Sequence, residues 1–289
     1  MEQPSPAPEK LTLRLNPLND FLFLKVMGEP GDETQLLGFL NAVLRRTGKD
    51  KIVSVEILEH RTFTAEIIGD KASVLDLRAV LADGTKINIE VQLRNLGNMD
   101  KRSLFYWSRE YTQGIEAGQD YIELPNVVSI NIVNFEFLPA GSFHTTFHLW
   151  EDSDRNILLT DALEVHFVDM VKFKVLQEKD IKNDPLHRWL TYFDKDSPPE
   201  LVEEVVKMDT AIQKAQERTA MVASDKEALR EIRLREMALS DWTSGVNHAK
   251  REGGKEKALE IATNLKKMGI SVDQITQATG LNVQQIKGL

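Results

Sequence analysis

Lys86-Ile87-Asn88-Ile89-Glu90-Val91-Gln92-Leu93 alternates strictly between polar and apolar side chains. A period of two marks a β-strand, because successive side chains leave the pleat on opposite faces. Ile87, Ile89, Val91 and Leu93 line one face; Lys86, Asn88, Glu90 and Gln92 line the other. A chain carrying this segment must build a sheet and bury one of its faces. Upstream, a strand over about residues 72–81 puts Val74, Asp76, Arg78 and Val80 on one face, and Asp83-Gly84 marks the turn between the two.

The loop length decides what this hairpin can do. A two-residue loop, Asp83-Gly84, pairs Ala82 with Thr85 and leaves Asp76 and Glu90 on opposite faces. A three-residue loop, Ala82-Asp83-Gly84, pairs Leu81 with Thr85 and sets Asp76 opposite Glu90, with Gly84 as the left-handed residue after a type I turn. Directly opposed side chains have Cβ atoms about 5 Å apart, and like charges there repel. A divalent cation reverses the sign, since hard cations bind clustered carboxylate oxygens. Taken alone, acids on a strand face are more often an ordinary solvated surface than a metal site.

The remaining sequence bounds the class. The chain has 289 residues, with 36 Lys and Arg against 45 Asp and Glu, a net charge of −9. At roughly 150 residues per domain, this predicts one or two domains. With 42% apolar and 28% charged residues, global disorder is excluded. Bulk acidity excludes coating nucleic acid by net charge, so any such contact is local. The absence of cysteine excludes disulfides, thiolate metal sites and cysteine nucleophiles, and fits a reducing compartment. The apolar run 127–133 is broken by Ser129 and Asn131 and falls far short of the ~20 residues of a membrane span. Residues 1–10 carry Pro4, Pro6 and Pro8 and no apolar signal core, which predicts a disordered tail over residues 1–15 of a cytoplasmic protein.

A helix is expected from Pro17, capped by Asn16 and ending at Gly28, and a second from about residue 33 to 46, closed by Gly48. Strands follow near residues 52–57, 72–81 and 86–93, then a helix over about 99–118 and a buried strand over 127–135. Residues 143–150 and 162–174 read as further strands or strand–helix junctions. After Asp196-Ser197-Pro198-Pro199, residues 200–268 read as two or three long charged helices interrupted at Gly253-Gly254. His144 and His148 lie on a strand, about 13 Å apart, and are rejected as a metal pair. No Gly-x-Ser-x-Gly elbow, P-loop or dinucleotide glycine turn is present. Residues 271–289 form two short helices around Gly280, with Ser271 and Asn282 as N-caps. They have the outline of half a helix-turn-helix but no clear recognition helix, so they are not read as DNA-reading.

The ordered series is more specific than any piece of it. Asn19-Asp20-Phe21-Leu22-Phe23-Leu24-Lys25-Val26-Met27-Gly28, then Leu75-Asp76-Leu77-Arg78, Asn88-Ile89-Glu90-Val91-Gln92 and Arg102-Ser103-Leu104-Phe105-Tyr106-Trp107 resemble the PD-(D/E)XK nuclease family transposases, the recombination-promoting nucleases. The resemblance covers about residues 16–175 well and the remainder loosely. It implies an α/β fold with a restriction-endonuclease-like αβββαβ core and a mostly helical C-terminal extension, divided as a nuclease-like domain over 16–195 and a helical region over 196–289. It also implies a metal-dependent DNA endonuclease, with Asp76, Glu90 and the backbone carbonyl of Val91 on Mg2+ (Mn2+ as a substitute) and Asp20 as a further acid near the metal. Gln92 stands where the superfamily has a lysine; an amide can position water or phosphate but cannot act as a charge or base.

Arg102, Tyr106 and Arg109 share a helix face with Lys101 beside them. If that face flanks the hairpin, these cations would hold DNA phosphates. The aromatics Phe105, Tyr106 and Trp107 read instead as core and interface residues. A homo-oligomer, a dimer first, is expected. The competing reading is a catalytically weak or inactive nuclease-derived DNA- or protein-binding module assembled through the C-terminal helices, whose thirteen basic residues from Lys207 to Lys267 face ten acids from Asp209 to Glu260.

Overall fold

The structure, a computed structural model, describes residues 14–58, 77–113, 115 and 118–289. The chain divides into two compact units, one ending at Arg233 and the other spanning Leu234–Leu289.

The first unit opens with α1 (Asp20–Met27) and α2 (Thr34–Val43). Asn19 caps α1, its side chain accepting from Leu22 N–H at 3.2 Å. The expected cap, Asn16, instead holds the turn before it, accepting from Leu18 N–H at 3.1 Å, so the helix starts three residues later than Pro17. α2 also ends before Gly48; the chain leaves it through Arg45, whose φ of +52° is left-handed.

Six strands follow: β1 (Val55–Ile57), β2 (Leu77–Leu81), β3 (Lys86–Gln92), β4 (Val127–Val133), β5 (His144–Trp150) and β6 (Leu158–Asp169). They form one sheet in the order β1-β2-β3-β4-β6-β5. β3, β4 and β6 run parallel at its centre, and the outer pairs are antiparallel. Joining β3 to a parallel β4 requires a crossover, supplied by α3 (Met99–Thr112). The αβββαβ order expected from the sequence is therefore the order observed. The expected part of β2 before Leu77 lies outside the described residues.

The sheet is covered differently on its two faces. Leu77, Ala79, Ile87, Ile89, Val91, Val128, Ile130, Ile132 and Val168 belong to the main core with α1, α2, α5 (Pro185–Phe193) and α7 (Thr210–Ser224). Trp189, Phe39 and Phe193 meet there edge-on or tilted at centroid distances of 5.4–5.7 Å. On the other face, Met99 and Trp107 of α3 pack on Val133, Leu163, Val165 and Phe167. Between β6 and α5 lies the short α4 (Met170–Lys174), and α6 (Pro199–Met208) precedes α7.

The charged region holds α8 (Lys226–Lys267), which runs through Gly253-Gly254 without a break. Each glycine costs a helix about 1 kcal/mol relative to alanine. Lys255–Glu252 and Lys257–Glu260 ion pairs, both 2.8 Å and three residues apart, support the helix around them. The second unit ends in α9 (Val272–Thr279) and α10 (Val283–Lys287), with Ser271 and Asn282 as side-chain caps as the sequence predicted. No described helix is long and apolar enough to cross a membrane.

Candidate active site

The turn between β2 and β3 has the three-residue form. Leu81 N–H donates to Thr85 C=O at 2.9 Å and Gly84 N–H to Leu81 C=O at 3.0 Å, with Gly84 at φ +84°. Asp83 braces the turn by accepting from Thr85 N–H at 2.9 Å. The register then runs Val80–Lys86, Ala79–Ile87, Arg78–Asn88 and Leu77–Ile89. Asp76 lies outside the described residues.

The polar face of β3 is sealed beneath α3. Glu90 is fully buried, and Asn88 and Gln92 are buried on the same side. On parallel β4, Asn131 stands beside Glu90 and Ser129 beside Asn88, extending the polar layer by one strand. α3 turns Met99, Ser103, Tyr106 and Glu110 inward. Their spacing of four, three and four residues makes one helical stripe. Trp107 ties the helix to the sheet, donating from Nε1 to Val127 C=O at 3.1 Å.

Two buried ion pairs cross this interface. Arg102 Nε donates to Glu90 Oε1 at 2.7 Å, and its guanidinium lies 5.2 Å from the Tyr106 ring centroid. Arg78 Nη2 donates to Glu110 Oε2 at 2.6 Å, while Lys86 Nζ donates to the Glu110 carbonyl at 3.1 Å. Burial pushes the Glu90 carboxyl above its ordinary range, and the charge and hydrogen bond of Arg102 pull against that rise. Among the described residues, Glu90 Oε2 and Asn131 Oδ1 have no hydrogen-bond partner. Two buried, unpartnered oxygens on neighbouring strands are the donor chemistry a hard cation takes.

The expected site residues are brought together unevenly. Glu90 and Gln92 share the sealed face, and Arg102 reaches Glu90 directly, so its described partner is a carboxylate. Lys101 is exposed on α3 and Arg109 is half-buried seven residues after Arg102. Asp20 begins α1, where its Oδ1 accepts from Phe21 N–H at 2.9 Å. No group of three or more His, Cys, Asp or Glu among the described residues could hold a metal ion. Tyr106 is core as expected, whereas Phe105 is 44% exposed.

The sequence reading missed the Arg78–Glu110 pair and the Asn88–Ser129–Asn131 layer. Its signal was the same period of two, since Ser129 and Asn131 alternate within β4 as Asn88 and Glu90 do within β3.

The opposite end of the sheet carries a histidine pair. His144 Nε2 and His166 Nδ1 are 2.9 Å apart, and His166 Nε2 lies 2.7 Å from Glu164 Oε1. Burial first, then the charges of His166 and Arg45, push His144 down to about 4. An unfolded histidine titrates near 6.5 and takes up its proton before the folded one does. Stability from this site is therefore complete above pH 6.5 and falls as pH drops from 6.5 toward 4. Urea unfolding at pH 7.5, 6 and 5 is expected to show a smaller loss for His144→Asn than for the unsubstituted chain.

A mixed sheet whose central crossover helix roofs a buried carboxylate makes this a mixed α/β protein with an acid sealed beneath α3. The chain belongs to the PD-(D/E)XK nuclease family transposases, whose family model matches residues 17–249. No curated protein and no solved structure matches it.

Proposed function

We propose that the protein is a divalent-cation-dependent DNA endonuclease of the recombination-promoting class, hydrolysing phosphodiester bonds at the β2–β3 hairpin. One observation carries this reading: the three-residue turn, in register beneath the sealed Glu90 carboxylate. Extending that register one residue past Leu77–Ile89 would oppose Asp76 to Glu90, an arrangement a cation favours and a bare sheet does not.

Asp76, Glu90 and the Val91 carbonyl are the proposed holders, with Asp20 a further acid. Lys86 N–H donates to Asn126 C=O and Asn134 N–H to Gln92 C=O, so even-numbered peptide groups of β3 turn toward β4. The Val91 carbonyl then turns the other way, toward the hairpin partner. Magnesium, or manganese in its place, would supply activation of water and offset the charge gathering on the phosphate.

Gln92, two residues from Glu90 on the same face, can orient water or a phosphate oxygen through its amide but can take no proton from either. Arg102 beside Glu90 supplies a guanidinium for the phosphate, with Lys101 and Arg109 holding neighbouring phosphates.

The Arg102–Glu90 pair also favours a second reading. In that reading the carboxylate serves only the ion pair, and the protein is a nuclease-derived binding module that no longer turns over. Purified chain is expected to nick supercoiled plasmid in Mg2+ or Mn2+ and to leave it intact in EDTA. Intact plasmid, linear duplex and single strands under every divalent cation would leave the second reading standing.

A further inference from the structure

We propose that β5 is an interface between two copies of this chain, pairing antiparallel with β5 of the second copy across a two-fold axis. This surface is separate from the hairpin site, since β5 lies three strand positions from β3 in the sheet.

The first observation is an unguarded edge. Among the described residues, β5 has a strand neighbour, β6, on one side only. An edge strand offers unpaired N–H and C=O groups to any matching strand, and proteins blunt such edges with charge, proline or shortness. The opposite edge follows that rule: β1 has three residues and exposes Glu56. β5 has seven, and residues 141–150 contain no Asp, Glu, Lys, Arg or Pro. Its register is irregular between Phe147 and Trp150. His144, Thr145, Thr146 and Phe147 pair evenly with Val168, Phe167, His166 and Val165, so four residues keep the extended geometry another strand can match.

The second observation is an arm. β4 pairs with β6 only from Leu163 onward, while β6 begins at Leu158. Residues 158–162 and the end of β5 therefore run past β4 as two strands, and a two-stranded ribbon is marginal by itself in water. This ribbon also exposes Leu149, Trp150, Ile157 and Leu159, the last at 76%. A cluster of exposed aliphatic side chains around a tryptophan is what the buried centre of a protein interface is made of.

Charge selects the occupant. The loop after α2 carries Arg45, Arg46, Lys49 and Lys51 against Asp50, all exposed. It lies at the start of β5, where the charge of Arg45 acts on His144. Asp184 stands 3.9 Å from Arg45, and the loop stays net positive beside it. The turn after Trp150 carries Glu151, Asp152 and Asp154 against Arg155, all exposed and net negative. β5 thus has a basic loop at its first residue and an acidic turn after its last. A partner of uniform charge meets repulsion at one end. Antiparallel self-pairing instead lays each acidic turn beside the other copy's basic loop, and the two-fold axis makes that contact twice.

The test uses the full chain, which has no cysteine of its own. Sedimentation velocity is expected to show a dimer of the 32.8 kDa chain at micromolar concentration, in EDTA as in Mg2+. With a short bis-maleimide linker, Thr146→Cys in β5 should cross-link to a dimer, and Glu56→Cys on the opposite edge should not. Leu149→Lys should weaken the dimer at least about tenfold at unchanged Tm, because it sets a charge in the apolar centre of the contact. Arg46→Glu/Lys49→Glu should weaken it at least about tenfold as well, and adding Asp152→Lys to that variant should regain most of the loss. A chain that sediments as a monomer at every concentration overturns the proposal. So does a dimer in which Thr146→Cys does not cross-link, or one that survives both Leu149→Lys and the charge reversal.

Discussion

Arg102→Met is expected to destabilise the fold by about 3–5 kcal/mol, the usual cost of removing one partner from a buried ion pair. Glu90 has no exposed surface, and its described hydrogen bond comes from Arg102 Nε at 2.7 Å. Without the guanidinium, a carboxylate is left charged in the interior or must take up a proton. At roughly 2–4 °C per kcal/mol for a unit of this size, Tm should fall by about 10 °C. The double variant Arg102→Met/Glu90→Gln should recover most of the loss, because a neutral amide needs no counter-charge. The pH dependence has a defined sign. Glu90 titrates above its unfolded value of 4.5, so the native state holds the extra proton and stability declines as pH rises through that window. Arg102→Met widens the window, and the gap between variant and parent should shrink on acidification. Thermal melts at pH 5 and 8 read both effects. A single variant as stable as its parent at both would mean that Glu90 is not sealed.

Gly38→Ala in α2 is the second large effect, and it opposes helix propensity. Alanine in place of glycine inside a helix ordinarily gains up to about 1 kcal/mol. Here an added Cβ would lie 2.3 Å from Ala211 Cβ and 3.4 Å from Trp189 Cζ2. α2 and α7 approach so closely that the helices would have to separate, loosening Trp189, Phe39 and Phe193 around them. Overpacking of a filled core costs about 1–3 kcal/mol, and a contact this short belongs at the upper end. Gly38→Ala/Ala211→Gly moves the methyl from one helix to the other and should regain stability relative to Gly38→Ala. Chemical denaturation of the three proteins would measure the coupling.

These two cases show where the sequence stops speaking. The β3 strand was legible because period-two alternation follows from the pleat itself. The three-residue turn was one of two forms open to Ala82-Asp83-Gly84, and Gly84 at positive φ selects between them. The start of α3 and the caps Ser271 and Asn282 were legible because they rest on neighbouring residues. Contacts made at long range were not. Arg78 reaches Glu110 across 32 positions only because a crossover lays α3 over the sheet. Arg102 reads as a phosphate-binding cation on the helix alone; that it also pairs with Glu90 depends on the depth at which α3 sits over β3. The break expected at Gly253-Gly254 failed because two glycines weigh less than the helix continuing on both sides.

The central claim is that the hairpin acids carry cation-dependent DNA cleavage. Its most direct test is the nicking rate of supercoiled plasmid in Mg2+ for the unsubstituted chain, Asp76→Ala and Glu90→Gln, purified identically and confirmed folded by thermal melt. Loss of even an outer contact to a metal site costs about 10–100-fold, so each variant should lose at least about 100-fold. Nicking that persists at the parental rate in both folded variants would contradict the account.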